Sequence, residues 1–91
     1  MDGFVIANLI TGYVDDEDAK ILMALHRKYK MVAGALLKEV GDIKWHSALF
    51  QVAPDRLLRV VYKKTIVWHN GQPYPKYEII SPSKEVLKKY L

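Results

Sequence analysis

Three basic side chains recur at helical spacing in the middle of the chain: Arg56, Arg59 and Lys63. Positions i, i+3 and i+7 share one face of an α-helix. Pro54 suits the first helical position, and Asp55 suits the first turn, where a carboxylate meets the positive end of the helix dipole. Guanidinium and ammonium groups at this spacing can contact base edges and phosphates. The pattern therefore predicts a short helix with a basic front, although the same spacing also suits an ordinary solvated helix face.

The elements around this segment are predicted from its flanks. Residues 46–52 form a second short helical candidate, one or two residues before the helix predicted over 54–64. After it, residues 65–69 have the composition of a strand, and residues 76–80 that of a returning strand. Asn70-Gly71 between them is a strong hairpin signal, and we expect Pro73 and Pro75 to lengthen and stiffen the connection.

The other predicted elements come before residue 46 and after residue 80. Residues 1–14 are apolar without a clean period and suit a helix or an extended arm equally. A helix is predicted from about Asp15 to Lys30, with acids in its first turn and basic residues in its last. A further helix is predicted over 31–40, capped by Gly41 and followed by a short strand at 42–45. A final helix is predicted over 83–91.

Composition favours one basic, globular domain. The chain has 91 residues, 51% of them hydrophobic, and a formal net charge of +4. Five of its ten acidic residues lie in the first 18 positions, so Lys and Arg exceed Asp and Glu by nine in the rest. Such asymmetry suits a basic surface facing a polyanion. The absence of cysteine, of a basic leader and of a long apolar run leads us to expect a cytoplasmic protein.

Residues that could support catalysis are scattered. The three histidines, at 26, 46 and 69, have no metal-ligand spacing, and the serines lack a glycine-rich elbow or an evident base. The acidic run 15–18 lacks the spacing and the glycine of a calcium loop. We therefore expect no enzymatic activity, no metal, no cofactor and no evident small-molecule effector.

The order of these predicted elements resembles the winged helix-turn-helix domain of small prokaryotic and archaeal transcriptional regulators. Ala35–Trp45 is similar to the first helix and strand of that family, and Val52–Val61 to its turn and recognition helix. The stretch from Gly71 through Ser81 is similar to its wing tip and return strand. Gln51 departs from the pattern because such turns usually carry glycine. The resemblance covers roughly residues 32–91 and implies a mainly α fold with a small β-hairpin (α+β), with an extra N-terminal helix or arm and a C-terminal helix.

The resemblance implies sequence-specific binding of double-stranded DNA by a transcriptional regulator. Recognition helix 54–64 would enter the major groove, and wing 69–76 would contact the adjacent groove or backbone. The implied DNA-binding residues are Asp55, Arg56, Arg59, Tyr62, Lys63, Lys64, His69, Asn70, Gln72, Tyr74 and Lys76. Trp45 and Trp68 are expected in the core.

A homodimer is the expected assembly of this single domain, 1–91. Residues 1–30 form a possible dimerisation element and residues 32–91 the winged-helix core; the closing helix 83–91 is another possible interface. Two alternatives remain open. The same fold could act as a protein–protein adaptor, for which an exposed Leu58 would be a hint, or as a nucleoid-architectural protein that binds DNA without sequence preference.

Overall fold

Four antiparallel strands and two helices make up residues 16–91, the part of the chain that the computed structural model describes. Neighbouring strands pair in chain order to form one four-stranded sheet. The interpretations of residues 1–14 as a helix or an arm lie outside the described residues. No helix in the described part is long and apolar enough to cross a membrane. The elements are α1 (Glu17–Lys28), β1 (Lys30–Val40), β2 (Ile43–Ala53), β3 (Arg56–His69), β4 (Gln72–Ser81) and α2 (Lys84–Lys88).

The predicted mainly α fold is wrong, and so is the winged helix-turn-helix arrangement. The predicted helices over 31–40, 46–52 and 54–64 lie in β1, β2 and β3, so the chain has no recognition helix there. The expected short strand at 42–45 is only the start of β2. In β3, Leu58, Val60 and Tyr62 are buried, at every second position, which is the period of a strand. Arg59 and Lys63 are an even number of residues apart, so they share a strand face as readily as a helix face.

Helix α1 is the one long helix among the described residues, and its prediction is confirmed. Asp16 is its N-cap and accepts a hydrogen bond from the Ala19 N–H at 3.2 Å. One stripe of the helix packs on the sheet: Ala19, Ile21, Leu22 and Leu25. The sheet contributes these buried side chains to the same core: Ala48, Phe50, Leu58, Val60, Tyr62 and Tyr77. Burial of these apolar surfaces is the main favourable term in folding.

Tight turns join the strands. Asn70 and Gly71 have φ values of 51° and 75°, the left-handed region that a two-residue type I′ hairpin requires, so the predicted hairpin is confirmed. The predicted long connection is wrong, because Pro73 and Pro75 belong to β4 itself. Proline is tolerated there because β4 is an edge strand, where an outward-facing position needs no N–H. Gly41, expected as a helix C-cap, instead has a φ of 57° in the turn between β1 and β2.

The C-terminal helix exists but is shorter than predicted, five residues instead of nine. Ser83 caps it, and Leu87 is completely buried in the core. Lys84 forms ion pairs with Glu17 at 3.1 Å and Asp18 at 3.3 Å, which tie α2 to the start of α1. Lys88 adds a second ion pair to Glu17 at 3.2 Å. The two pairs of Glu17 are exposed, so they fix orientation more than they add stability.

Candidate nucleic-acid interface

The sheet has a second face, which α1 and α2 leave uncovered; we call it the open face. Directly paired residues of antiparallel strands lie on the same face, so the register defines its members. Because Phe50, Val60 and Tyr77 point to the helices, their immediate neighbours along each strand point to the open face. Its charged and aromatic members are Lys30, Lys38, Trp45, Arg59, Lys63, His69, Tyr74, Lys76 and Glu78.

One row of paired residues crosses all four strands of this face: Lys38, Trp45, Lys63 and Glu78. The Nζ of Lys38 lies 5.2 Å from the centre of a Trp45 ring, within the range of a cation–π interaction. The Nζ of Lys63 forms an ion pair with Glu78 at 3.2 Å. The row therefore places an indole between two ammonium groups.

Positive charge predominates on the open face. Five of its members are basic, Lys30, Lys38, Arg59, Lys63 and Lys76, and only Glu78 is acidic. Apart from Lys63, none of these five cations forms an ion pair within the described part of the chain. The four unpaired cations are also exposed. A surface of this kind attracts anions and binds them with a strong dependence on salt.

A shallow hollow of about 130 Å³ lies beside Arg59 on the open face. Small side chains make it possible, because Ala35 of β1 pairs with Ser47 of β2, and Ala33 pairs with Leu49, which forms one wall. The hollow combines apolar walls with a guanidinium at its rim. A flat ring could lie against the walls while Arg59 contacts an anionic group next to it.

The β3–β4 hairpin projects beyond the four-stranded sheet. The pairing of β2 with β3 ends at Ile43 and Thr65, whereas β3 continues to His69, paired only with β4. Trp68 lies on this two-stranded ribbon and is 64% exposed, so the expectation that it belongs to the core is wrong. His69, Asn70 and Gln72 surround the turn at its tip and are exposed.

Six of the eleven residues implied to bind DNA lie on the same face of the sheet, spread along β3 and β4. The open face holds Arg59, Lys63, His69, Gln72, Tyr74 and Lys76. Arg56 is the first residue of β3, Asp55 lies in the turn before it, and Asn70 lies in the hairpin turn.

Two implied residues face the helices instead. Tyr62 is buried and its ring stacks on His46 with centroids 5.1 Å apart, and Lys64 pairs with Tyr77 on that same face. Leu58 is buried as well, so it gives no exposed apolar contact for an adaptor.

Lys30, Lys38 and Trp45 lie on the open face but are not among the residues implied by the sequence to bind DNA. The sequence predicts helices for the segments that hold Lys30 and Lys38, and it predicts a core position for Trp45. An alternating pattern was nevertheless present: Lys44, His46, Ala48 and Phe50 on one side of β2, and Trp45 and Ser47 on the other. A strand reading of residues 43–53 would have placed Trp45 opposite the core.

A second hollow, of about 460 Å³, lies at the outer edge of β4, lined in part by Asp16, Asp18 and Lys76. Its two aspartates are already engaged. Asp16 accepts the Tyr77 N–H at 3.1 Å, and Asp18 accepts the Ile79 N–H at 2.8 Å. Within the described residues no group of three or more His, Cys, Asp or Glu side chains could hold a metal ion. The aspartates that line this hollow therefore serve to join α1 to the edge of β4.

No protein-family model matches the sequence, and neither a curated protein nor a solved structure matches the chain significantly.

Proposed function

We propose that this protein binds single-stranded nucleic acid across the open face of its sheet. The observation that carries the proposal is the row in which Trp45 lies between Lys38 and Lys63 on a surface with one carboxylate. Proteins that bind single strands combine a basic surface, which follows the phosphates, with aromatic rings on which bases stack. Trp45 supplies the ring, and the exposed cations supply the phosphate contacts.

In the proposed complex, each part of the face has its own role. Lys30, Lys38, Arg59 and Lys76 neutralise phosphates, while a base stacks near Trp45. The hollow beside Arg59 accepts a neighbouring base against its small side chains. Stacking is tolerant of sequence because every base has a π-face, so we expect weak preference among sequences.

Binding to duplex DNA is the second candidate, and the projecting ribbon favours it. A two-stranded ribbon fits the major groove of B-DNA, and the tip residues His69, Asn70 and Gln72 can hydrogen-bond to bases. The proposal differs from the recognition-helix mechanism, because residues 54–64 form a turn and a strand.

A salt titration tests the proposal quantitatively. Binding a single strand gives a slope of log K against log salt of about −0.7 for each phosphate neutralised. Four cations then predict a slope of about −2.8, which is a loss of about 50-fold in affinity between 50 and 200 mM salt. Removing two of them, in Lys38→Gln/Arg59→Gln, should reduce the slope to about −1.4 and that loss to about 7-fold.

The matched control removes the same charge from elsewhere. Lys20 on α1 and Lys89 after α2 are exposed and belong to the helices rather than to the open face. Lys20→Gln/Lys89→Gln should leave the slope near that of the unaltered protein, measured by fluorescence anisotropy with a labelled oligonucleotide. Equal losses in both double variants would show binding through net charge alone, and absence of binding at low salt would refute the proposal. Preference for a duplex over both of its separated strands would favour the second candidate.

A further inference from the structure

The outer edge of β4 is blocked against pairing with another strand. Its outward N–H groups are those of Tyr77 and Ile79, and both are bonded to aspartates at the start of α1, at 3.1 and 2.8 Å. Pro73 and Pro75 occupy the two preceding outward-facing positions of β4, and proline has no N–H. Four successive outward positions therefore offer no donor to a partner.

The outer edge of β1, the opposite edge of the sheet, has no such protection from residues 16–91. Strand β1 is 11 residues long, and no hydrogen bond from a side chain of the described residues caps its backbone. Four of its large apolar side chains are exposed: Val32, Leu36, Leu37 and Val40, at 44, 52, 53 and 54%. Register shifts occur at Val32 and Leu37, which leaves the stretch 33–36 between them regular. A long apolar edge is a template for another strand.

We propose that β1 pairs antiparallel with β1 of a second copy of this chain, joining two four-stranded sheets into one of eight strands. Ala35 is the midpoint of Lys30–Val40, so a twofold axis at Ala35 makes the two strands overlap over their whole length. The pairing is isologous, with each residue opposite its counterpart reflected about position 35.

The sequence of β1 is complementary to itself in this register. Small residues face large ones, because Gly34 lies opposite Leu36 of the second copy and Ala33 opposite its Leu37. Each charged residue faces an apolar one, so no like charges meet: Lys30 faces Val40, Lys38 faces Val32, and Glu39 faces Met31. Like charges directly opposite would destabilise the pair. This self-complementarity selects a second copy over an unrelated peptide as the occupant of the edge.

The dimer would place both open faces on the same side of a continuous sheet. A twofold axis perpendicular to the sheet keeps each face on its own side, so the two basic surfaces become neighbours. The proposal stands on the strand edges alone, and it holds whether or not the open face binds nucleic acid.

Cysteine cross-linking tests the register, because the natural sequence contains no cysteine. Residues directly opposite in an antiparallel pair have Cα atoms about 4.5–5.5 Å apart, within the range of a disulfide. Ala35→Cys should form a disulfide-linked dimer under mild oxidation, whereas Ser81→Cys, exposed at the end of the blocked strand β4, should remain largely monomeric. Equal cross-linking of the two variants would overturn the register.

Sedimentation equilibrium tests the interface without a cross-link. Leu36→Lys should weaken the dimer at least about tenfold, because lysine on an edge strand opposes pairing. Leu57→Lys is the matched control, since Leu57 is also 52% exposed but lies on β3, and it should leave the dimer unchanged. An unaltered chain that is monomeric at 100 µM would refute the proposal, as would equal weakening in the two variants. Circular dichroism of each variant verifies that the sheet is retained.

Discussion

Asp18→Ala should unfold the protein more easily, because Asp18 joins three elements. Its Oδ2 accepts the Ile79 N–H of β4 at 2.8 Å, and its Oδ1 forms an ion pair with Lys84 of α2 at 3.3 Å. The Asp18 side chain is only 14% exposed, so water cannot fully replace the lost acceptor. A hydrogen bond to a charged group contributes about 1.5–3 kcal/mol, and the ion pair with the exposed Lys84 adds little to it because solvent screens it.

We therefore expect Asp18→Ala to lower the free energy of unfolding by about 2–3 kcal/mol, measured by urea denaturation. For a domain of this size, that corresponds to a fall in Tm of roughly 10–20 °C. Asp18→Asn keeps an oxygen acceptor and should lose about 1 kcal/mol. Asp55→Ala, at an exposed turn carboxylate, is the control and should change stability by less than about 0.5 kcal/mol. A loss below about 0.5 kcal/mol in Asp18→Ala would refute the account of the blocked β4 edge.

Three further predictions concern the turn, the core and the contact between helices. Gly71→Ala should lower stability by about 1–2 kcal/mol in a thermal melt, because Gly71 has a φ of 75°; an unchanged Tm would contradict the turn geometry. Phe50→Ala should cost about 3–5 kcal/mol in urea, since Phe50 is completely buried; a loss below about 1 kcal/mol would place Phe50 outside the core. Hydrogen bonds from Lys84 and then Lys88 hold the pKa of Glu17 below its ordinary value, so this contribution to stability is present at neutral pH and lost as pH falls through the folded pKa. The difference in Tm between the unaltered protein and Glu17→Gln should therefore shrink on acidification, and a constant difference would argue against the ion pairs.

The sequence predicts correctly those features that depend on a few neighbouring residues, such as a helix cap or a tight turn. The acids before Ala19 predicted the start of α1, and Asn70-Gly71 predicted the β3–β4 hairpin, because caps and type I′ turns depend on the residues themselves. The alternation of Tyr77 and Ile79 with Lys76 and Glu78 was also read correctly as a strand.

The central sheet could not be read in the same way. Residues 31–40 are rich in Ala, Leu, Lys and Glu, which favour helices, and only pairing with β2 makes them a strand. Arg56, Arg59 and Lys63 fit a helical period, but Val60, Val61 and Tyr62 between them favour a strand. Tertiary pairing thus overrides helix propensity in β1, and in β3 the helical spacing of the basic residues does not reflect the backbone, which is a strand. The candidate site therefore lies on a face of the sheet that includes Trp45, and not on the face of a helix.

The most direct test of nucleic-acid binding by the open face is the fluorescence of Trp45. The chain contains two tryptophans, so a Trp68→Phe variant leaves Trp45 as its single indole. Titration with a single-stranded oligonucleotide at low salt should quench Trp45 fluorescence to saturation, because a stacked base lies against the ring, and added salt should reverse the quenching. Unchanged Trp45 fluorescence while anisotropy of the labelled strand reports binding would place the interface elsewhere and contradict the account.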